Sequence, residues 1–379
     1  MPKEEREQYF RKAAEDLPDS ILTGPRVLLH FGPFRLTYGG KESRKVRSLR
    51  YGENPPAFDN EGGAAVYREV DSSGPSIASA CVIQEGKGLS YNNFVDADAG
   101  LRLGLRLHEL YPWDSIAVVI KHKGPSGVGR SNSMEFAHKL AYKCDPINAF
   151  GGVNVYIGVL DEGTANAITS YFNEVVVAPS YTERALEILR QKKNLRVLLT
   201  ESPDRKVVDS GIDGVPILGG YVAQRRQVSH INTPANLEKI SHGRDPNMCE
   251  LEAALFTWAV AFHTPSNAII FGTPYRTVGI GRGQGSRVDS TDLAINFMKE
   301  KCRDYNPNNP GIITMASDAF FPEPDSVEHA ARAGIRTIVF PLGSVKDDQI
   351  IEAADKYNIV MLCTRPIPGA KKIERAFKH

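Results

Sequence analysis

A lysine and a histidine stand side by side at Lys121-His122, inside the string A-V-V-I-K-H-K-G-P-S-G that runs from Ala117 to Gly127. Histidine titrates near neutrality and can carry a proton, while lysine supplies a fixed positive charge or a second donor. The apolar run at 116–120 predicts a short buried strand, and Gly124-Pro125 and Gly127 predict a turn directly after it. Both side chains are then delivered to the end of a strand, where open α/β sheets bind their ligands. The same eleven residues also suit a strand that simply ends in two solvated bases.

Four further stretches carry residue types with chemical use. Arg50-Tyr51-Gly52-Glu53-Asn54-Pro55 combines a fork donor for phosphate or carboxylate with an aromatic face that can stack on a base. An exposed turn with an incidental arginine fits it equally well. The run G-I-G-R-G-Q-G-S-R-V-D-S at 279–290 lies between a predicted strand and a predicted helix. Its glycines permit close backbone approach and the helix start suits an anion. It matches G-x-G-x-x-G at Gly281, Gly283 and Ser286 only with serine in the third place, and no P-loop G-K-[ST] occurs. A plain β-to-α turn capped by Asp289 or Ser290 is the alternative. Ser317-Asp318-Ala319-Phe320-Phe321-Pro322 follows a predicted strand at 312–315, and its paired aromatics suit either the wall of a flat-ring pocket or core packing. Pro341-Leu342-Gly343-Ser344 ends the next strand in the same way. Polar or glycine-rich loops at successive strand ends favour a small-molecule site over a structural role.

The elements that must hold these loops read as an alternation. Strands are expected at 77–83, 116–121, 153–157, 174–178 and 197–200, with helices at 96–110, 134–144, 163–172 and 182–192. After an irregular Gly/Pro stretch at 203–218, a second series begins. It has helices at 250–262, 290–302, 326–333 and 347–356 and strands at 268–271, 277–280, 312–315, 337–340 and 359–363. Short links in a βαβα order imply layered α/β domains, and two halves of similar size suggest duplication. No fixed-period repeat is visible. Residues 1–45 read as an N-terminal extension with a charged helix-like segment at 3–15, followed by units at 46–225 and 226–379.

The 379 residues hold 46 basic and 45 acidic side chains, so no global field argues for nucleic acid or an anionic membrane. The apolar runs are of strand length and the N-terminus lacks a secretory leader, so a cytoplasmic protein is expected. Five scattered cysteines without C-x-x-C predict reduced thiols and no zinc site.

Read jointly, the motifs resemble the AICAR transformylase half of the bifunctional purine-biosynthesis enzyme, in the family's order from about Arg50 to His379. The matches are L-R-Y-G-E-N-P, K-H-x-x-P-x-G, C-D-P-x-x-A-F-G-G (Cys144 to Gly152), E-V-x-V-A-P (Glu174 to Pro179) and S-N-A-I (Ser266 to Ile269). They continue through G-I-G-x-G-Q-x-S-R-V-D, S-D-A-F-F-P and P-x-G-S to the terminal R-A-F-K-H (Arg375 to His379). The resemblance implies an α/β fold of two cytidine-deaminase-like α/β/α units and a homodimer with active sites at the interface. It implies formyl transfer from 10-formyltetrahydrofolate, a reduced folate acting as co-substrate, to the 5-amino group of AICAR, giving FAICAR, with no catalytic metal. The deaminase zinc signature is missing from this chain.

Carried over on matching positions, His122 would be the base for the attacking amine, and Lys121 would stabilise the formyl oxygen or the departing nitrogen. Asn267 would orient the carboxamide or amine. Arg50, Tyr51, Gly151, Glu174, Arg287 and Arg375 match nucleotide-contacting positions, with Arg50 and Arg375 at the phosphate. Val288, Phe320, Asp325, Ser344 and Val345 match folate-side positions. Asn93, Phe150, Asp318, Phe321, Pro322 and His379 are further candidates. The chain departs from the family's pattern at Gly124, where Asn or Ser is common, at Glu323, where an aromatic is usual, and at Phe262, where a lysine is common. It also carries an insertion at 366–374, and no cyclohydrolase domain precedes the matched region. A formyltransferase acting on an AICAR-like analogue in a specialised nucleoside pathway, or a nucleotide-binding homologue without turnover, are the alternative readings. A dinucleotide dehydrogenase would need a complete fingerprint.

Overall fold

Apolar runs too short to form helices, set between amphipathic helices, leave the chain one economical solution: sheets covered by helices. The computed structural model describes residues 64–69, 71–208, 211–218, 220–302 and 311–364, with the strands Ser20–Thr23, Leu29–Phe31, Phe34–Leu36 and Lys41–Leu49. The helix-like segment expected at 3–15 lies outside these residues. The chain forms two compact units, residues 1–95 with 193–228 and residues 96–192 with 229–379.

The first unit contains a three-stranded antiparallel sheet with Lys41–Leu49 in the centre. It also contains the antiparallel pair Cys81–Gln84 and Arg196–Leu199. The stretch expected to be irregular at 203–218 holds the strand Ile212–Ile217, which pairs in a hairpin with Gly220–Arg225 beyond it.

The second unit shows the duplication that sequence periodicity did not. In one sheet the order is Val175–Ala178, Val153–Ile157, Ser115–Lys121, Gly124–Ser131, with the first pair parallel and the other two antiparallel. In the other, Thr337–Phe340, Thr314–Ser317, Ile269–Gly272 and Thr277–Gly281 repeat that order and those directions. Val360–Thr364 and Leu237–Lys239 extend this second sheet. Its helix Met248–Phe262 packs on the second and third of these strands and carries the fully buried Trp258.

Each sheet ends in a hairpin whose outer strand lies under a helix, and glycines make the approach possible. A Cβ on Gly127 would stand 2.0 Å from the Ala141 carbonyl oxygen, in helix Met134–Cys144; one on Gly281 would stand 1.8 Å from the Ser290 carbonyl oxygen, in helix Arg287–Asn296. This corrects the expected turn at Gly124-Pro125 and Gly127, because residues 124–131 form a buried strand. Its glycines make room for a helix rather than bend the chain. The two outer strands meet: Val128 N donates to Thr277 Oγ1 at 2.9 Å, and Arg130 N to the Tyr275 carbonyl at 2.8 Å. The helix expected at 290–302 begins earlier, at Arg287, and its last turn is a π-turn at Phe297–Lys301. Among the described residues, no helix is long and apolar enough to cross a membrane.

Candidate active site

The strand Ser115–Lys121 is buried through its middle, so its last residue emerges at the sheet end. Lys121 pairs with Gly124, which leaves His122 and Lys123 as a two-residue hairpin turn. Both have positive φ, 52° and 65°. Such a turn matches the twist of the strands but favours Asn and Gly, and the left-handed region costs other residues about 1–2 kcal/mol each. Other parts of the chain must hold it.

Two groups do so. On the amide side, Asp96 of helix Tyr91–Leu110 accepts from His122 N at 3.2 Å and Lys123 N at 2.7 Å. Burial pushes the Asp96 carboxyl above its ordinary pKa, against the opposing pull of these two amides and of the positive charges of His122 and Arg282. On the carbonyl side, Arg282 donates through Nη2 to the Lys121 oxygen at 2.7 Å and through Nη1 to the His122 oxygen at 3.2 Å. Burial lowers the pKa of its guanidinium, with Asp96 and Asp145 acting the other way. The turn is gripped from both sides, and the His122 side chain is left exposed.

Lys121 Nζ donates to the Phe150 carbonyl at 2.6 Å. That carbonyl belongs to the C-D-P-x-x-A-F-G-G segment, where Asp145 caps the short helix Pro146–Ala149. Gly151 has φ of 68° and donates to the Phe172 carbonyl at 2.7 Å, while Glu174 N reaches the Gly152 carbonyl at 3.1 Å. The exposed Phe150 ring lies 5.3 Å from that of Phe172. The structure therefore brings Lys121, His122, Phe150, Gly151 and Glu174 into one neighbourhood. A cavity of about 220 Å³ adjoins it, lined in part by Ser126, Asp145, Asn148 and Arg282, and the buried Ser126 hydroxyl makes no hydrogen bond.

The loop that supplies Arg282 also binds the second group of candidates. Asn267 Nδ2 donates to the Gln284 carbonyl at 2.9 Å, and Asn267 Oδ1 accepts from Arg287 Nη2 at 2.9 Å. One N–H and one lone pair of the amide stay uncommitted by these two bonds. Arg287 also donates to Ser317 Oγ at 3.1 Å and forms a buried ion pair with Asp318, which accepts from Ser266 Oγ as well. Asp318 thus fixes the arginine that fixes Asn267.

The folate-side candidates stand at the ends of neighbouring strands. Thr314–Ser317 and Thr337–Phe340 are parallel, so the loops holding Phe320 and Ser344-Val345 follow adjacent strand ends. Glu323 and Lys346 join these loops by an ion pair, which balances the charge that Glu323 brings. Val288 follows Arg287 at the start of its helix, Asp325 opens helix Asp325–Arg332, and Val345 is fully exposed. Pro322 is exposed. Phe321 is buried with its ring 5.1 Å from Phe340, so it packs the core instead of facing a ligand. Asn93 is buried at the start of its helix in reciprocal hydrogen bonds with Ser90. Arg50, Tyr51, Arg375 and His379 lie outside the described residues.

Sequence reasoning missed Asp96 and Arg282. Asp96 was taken only as the first residue of a helix, and Arg282 stood among glycines in a motif read for its backbone. Among the described residues, no three His, Cys, Asp or Glu side chains converge as metal ligands would.

Residues 31–297 match the AICARFT/IMPCHase bienzyme family. The chain is 39% identical over 336 residues to the bifunctional purine biosynthesis protein PurH of Buchnera aphidicola subsp. Schizaphis graminum, covering 88% of this chain and 59% of that protein. It is 38% identical over 322 residues to PurH of Persephonella marina, covering 85% and 58%. With PurH of Cereibacter sphaeroides (strain ATCC 17025) it shares 40% over 376 residues, covering 98% and 66%. The chain spans about three fifths of the length of the first two of these curated relatives.

Proposed function

We propose that this chain, which belongs to the AICARFT/IMPCHase bienzyme family, is a formyltransferase that moves a formyl group from 10-formyltetrahydrofolate to the 5-amino group of AICAR. The observation that carries the reading is the gripped Lys121-His122 turn, joined through the 282–287 loop to the fixed amide of Asn267. Each part has a use in acyl transfer to a weak amine. His122, exposed on a held backbone, takes the proton that the amine loses as its nitrogen bonds to the formyl carbon. Lys121, oriented by the Phe150 carbonyl, places positive charge where negative charge develops on the formyl oxygen, or gives a proton to the departing nitrogen. Asn267, with one donor and one acceptor to spare, orients the carboxamide or amine.

Bound 10-formyltetrahydrofolate supplies the activated one-carbon group. Val288, Phe320, Asp325, Ser344 and Val345 would hold it. Their fit rests on the adjacent ends of two parallel strands, which the loops of Phe320 and Ser344-Val345 follow, and on the ion pair of Glu323 with Lys346. Gly151, Glu174 and Arg287 would face the nucleotide, with Arg50, Tyr51 and Arg375 added from segments outside the described residues. Two cytidine-deaminase-like units, a homodimer with sites at its interface and a cytoplasmic location complete the reading.

The test is a formyl-transfer assay with purified protein, AICAR and 10-formyltetrahydrofolate. The expected result is stoichiometric release of tetrahydrofolate with formation of FAICAR. Binding of both compounds without transfer, or transfer only to a different ribotide, would overturn the assignment to AICAR.

A further inference from the structure

The Lys121-His122 turn is costly as a free backbone, and only one of its two supports lies nearby in sequence. Asp96 holds the amides from a distance of 26 and 27 residues along the chain; Arg282 holds the carbonyls from 160 and 161. Gly124 stands where the guanidinium passes. Its φ is not in the left-handed region, so the backbone there would accept another residue. The space would not: a Cβ on Gly124 would lie 2.4 Å from Arg282 Nη1 and 2.8 Å from its Cδ and Cζ. The absence of a side chain at 124 and the arginine at 282 are two halves of one contact.

We propose that Arg282 is a positioning residue for the Lys121-His122 turn, seated in the space that Gly124 leaves and holding the turn's two carbonyls in a single fork. Its planar guanidinium presents a donor to each oxygen in a fixed fork, a pre-organisation that a freely rotating ammonium lacks. Removing it frees the carbonyl side of a turn with two residues at positive φ, and the side chains of His122 and Lys121 lose their shared orientation. A side chain at 124 acts through the same route, because it displaces the guanidinium.

The proposal rests on the formyl-transfer reading for its kinetic arm only. Arg282→Ala, Gly124→Ser and the double variant are compared with wild type in the full chain. The first readout is amide hydrogen exchange at His122 and Lys123, which needs no substrate. Exchange at both amides should accelerate about tenfold or more in each single variant. The Gly124→Ser change should add nothing once Arg282 is Ala, since contacting residues couple where distant ones add.

The second readout is kcat and KM for AICAR. Arg282→Ala should lower kcat by about 10²-fold, the cost of a misplaced catalytic group, with KM changed much less. Arg282→Lys should recover part of that loss. Millimolar guanidinium should recover more, entering the space beside the cavity of about 220 Å³. Unchanged amide exchange in Arg282→Ala, or additive effects of the two substitutions, would overturn the proposal. A wild-type protein that does not formylate AICAR would sink the functional reading, while exchange and coupling would still decide the role of Arg282.

Discussion

The two hairpins that close the second unit's sheets share a plan and differ in what holds their turns. In the hairpin of Ile269–Gly272 and Thr277–Gly281, the four turn residues bond among themselves, and Arg130 also donates to the Pro274 carbonyl through Nε at 2.7 Å and to the Tyr275 carbonyl through its backbone N at 2.8 Å. Thr273 Oγ1 accepts from Tyr275 N at 3.2 Å and Arg276 N at 3.3 Å, and Thr273 N donates to the Arg276 carbonyl at 2.9 Å. In the hairpin of Ser115–Lys121 and Gly124–Ser131 the turn has two residues, both at positive φ, and the grips on it come from Asp96 and Arg282. Both turns have carbonyls held by a distant arginine, Arg130 in one and Arg282 in the other, but the first also closes through Thr273, whereas the second has its amides held by Asp96. The turn held by Asp96 and Arg282 is the one to which the proposed function gives the chemistry. Long-range support lets side chains suited to catalysis occupy positions where turn formers would otherwise be preferred.

The sharpest way to break this comparison is to strip the chemistry from the Lys121-His122 turn. His122→Ala should lower kcat by roughly 10²–10⁴-fold with nucleotide affinity nearly kept, since a proton-transfer group acts in the transition state. Lys121→Ala should cost on the order of 10²–10³-fold, as removal of a charge-stabilising donor does. Steady-state kinetics with a separate binding titration checks both, and near-normal turnover in His122→Ala would remove the assignment.

The halves also differ in what their helices bury. Helix Met134–Cys144, behind the hairpin of the Lys121-His122 turn, encloses His138, whose ring bonds Tyr156 Oη at 2.8 Å. Burial pulls its pKa from 6.5 down to about 4, with Lys139 adding to the shift. Between those pH values the unfolded chain binds a proton that the folded chain refuses, so stability falls as pH drops from 6.5 towards 4. The loss amounts to about 3 kcal/mol when complete. Urea unfolding at pH 7 and pH 5 should show the acid-side decline in wild type and a shallower one in His138→Gln. Parallel declines would place the acid sensitivity elsewhere.

A smaller effect tests the amide-side grip. Asp96→Asn keeps one acceptor for two amides, and losing one hydrogen bond of about 1 kcal/mol should speed exchange at His122 or Lys123 several-fold. Global stability should hold or rise, because burial disfavours the Asp96 charge in the fold. A stability loss measured by urea unfolding would show that the carboxylate supports more than the turn. Smallest of all should be Tyr275→Ala in the other hairpin, where the exposed ring stands 5.0 Å from the Arg130 guanidinium. Stability within ~0.5 kcal/mol and unchanged turnover are expected, and a large kinetic loss would mean that both hairpins serve the reaction.

Much of the fold was legible in local pattern. The strand Val153–Ile157, the helix Met134–Cys144, the strand Thr337–Phe340 and the helix Asp347–Lys356 fall where period and capping place them. Gly124-Pro125 and Gly127 were misread as a turn because glycine that makes room for a helix looks the same in sequence as glycine that bends a chain. The duplicated strand order left no trace in periodicity, since two halves can keep a topology with few residues in common.

At the site, sequence alone determined that a lysine and a histidine would end a buried strand, because hydrophobic burial and strand length are written into consecutive residues. It also marked 279–290, 317–322 and 341–344 as polar or glycine-rich loops, and the family resemblance added 144–152 and 266–269. Only the tertiary structure decided that His122 and Lys123 form the turn itself, that Asp96 and Arg282 hold it from opposite sides, and that Gly124 is empty so that Arg282 can pass. Those facts join residues up to 161 positions apart. Contacts of that range are set by how the sheets and helices pack, and no local propensity records them.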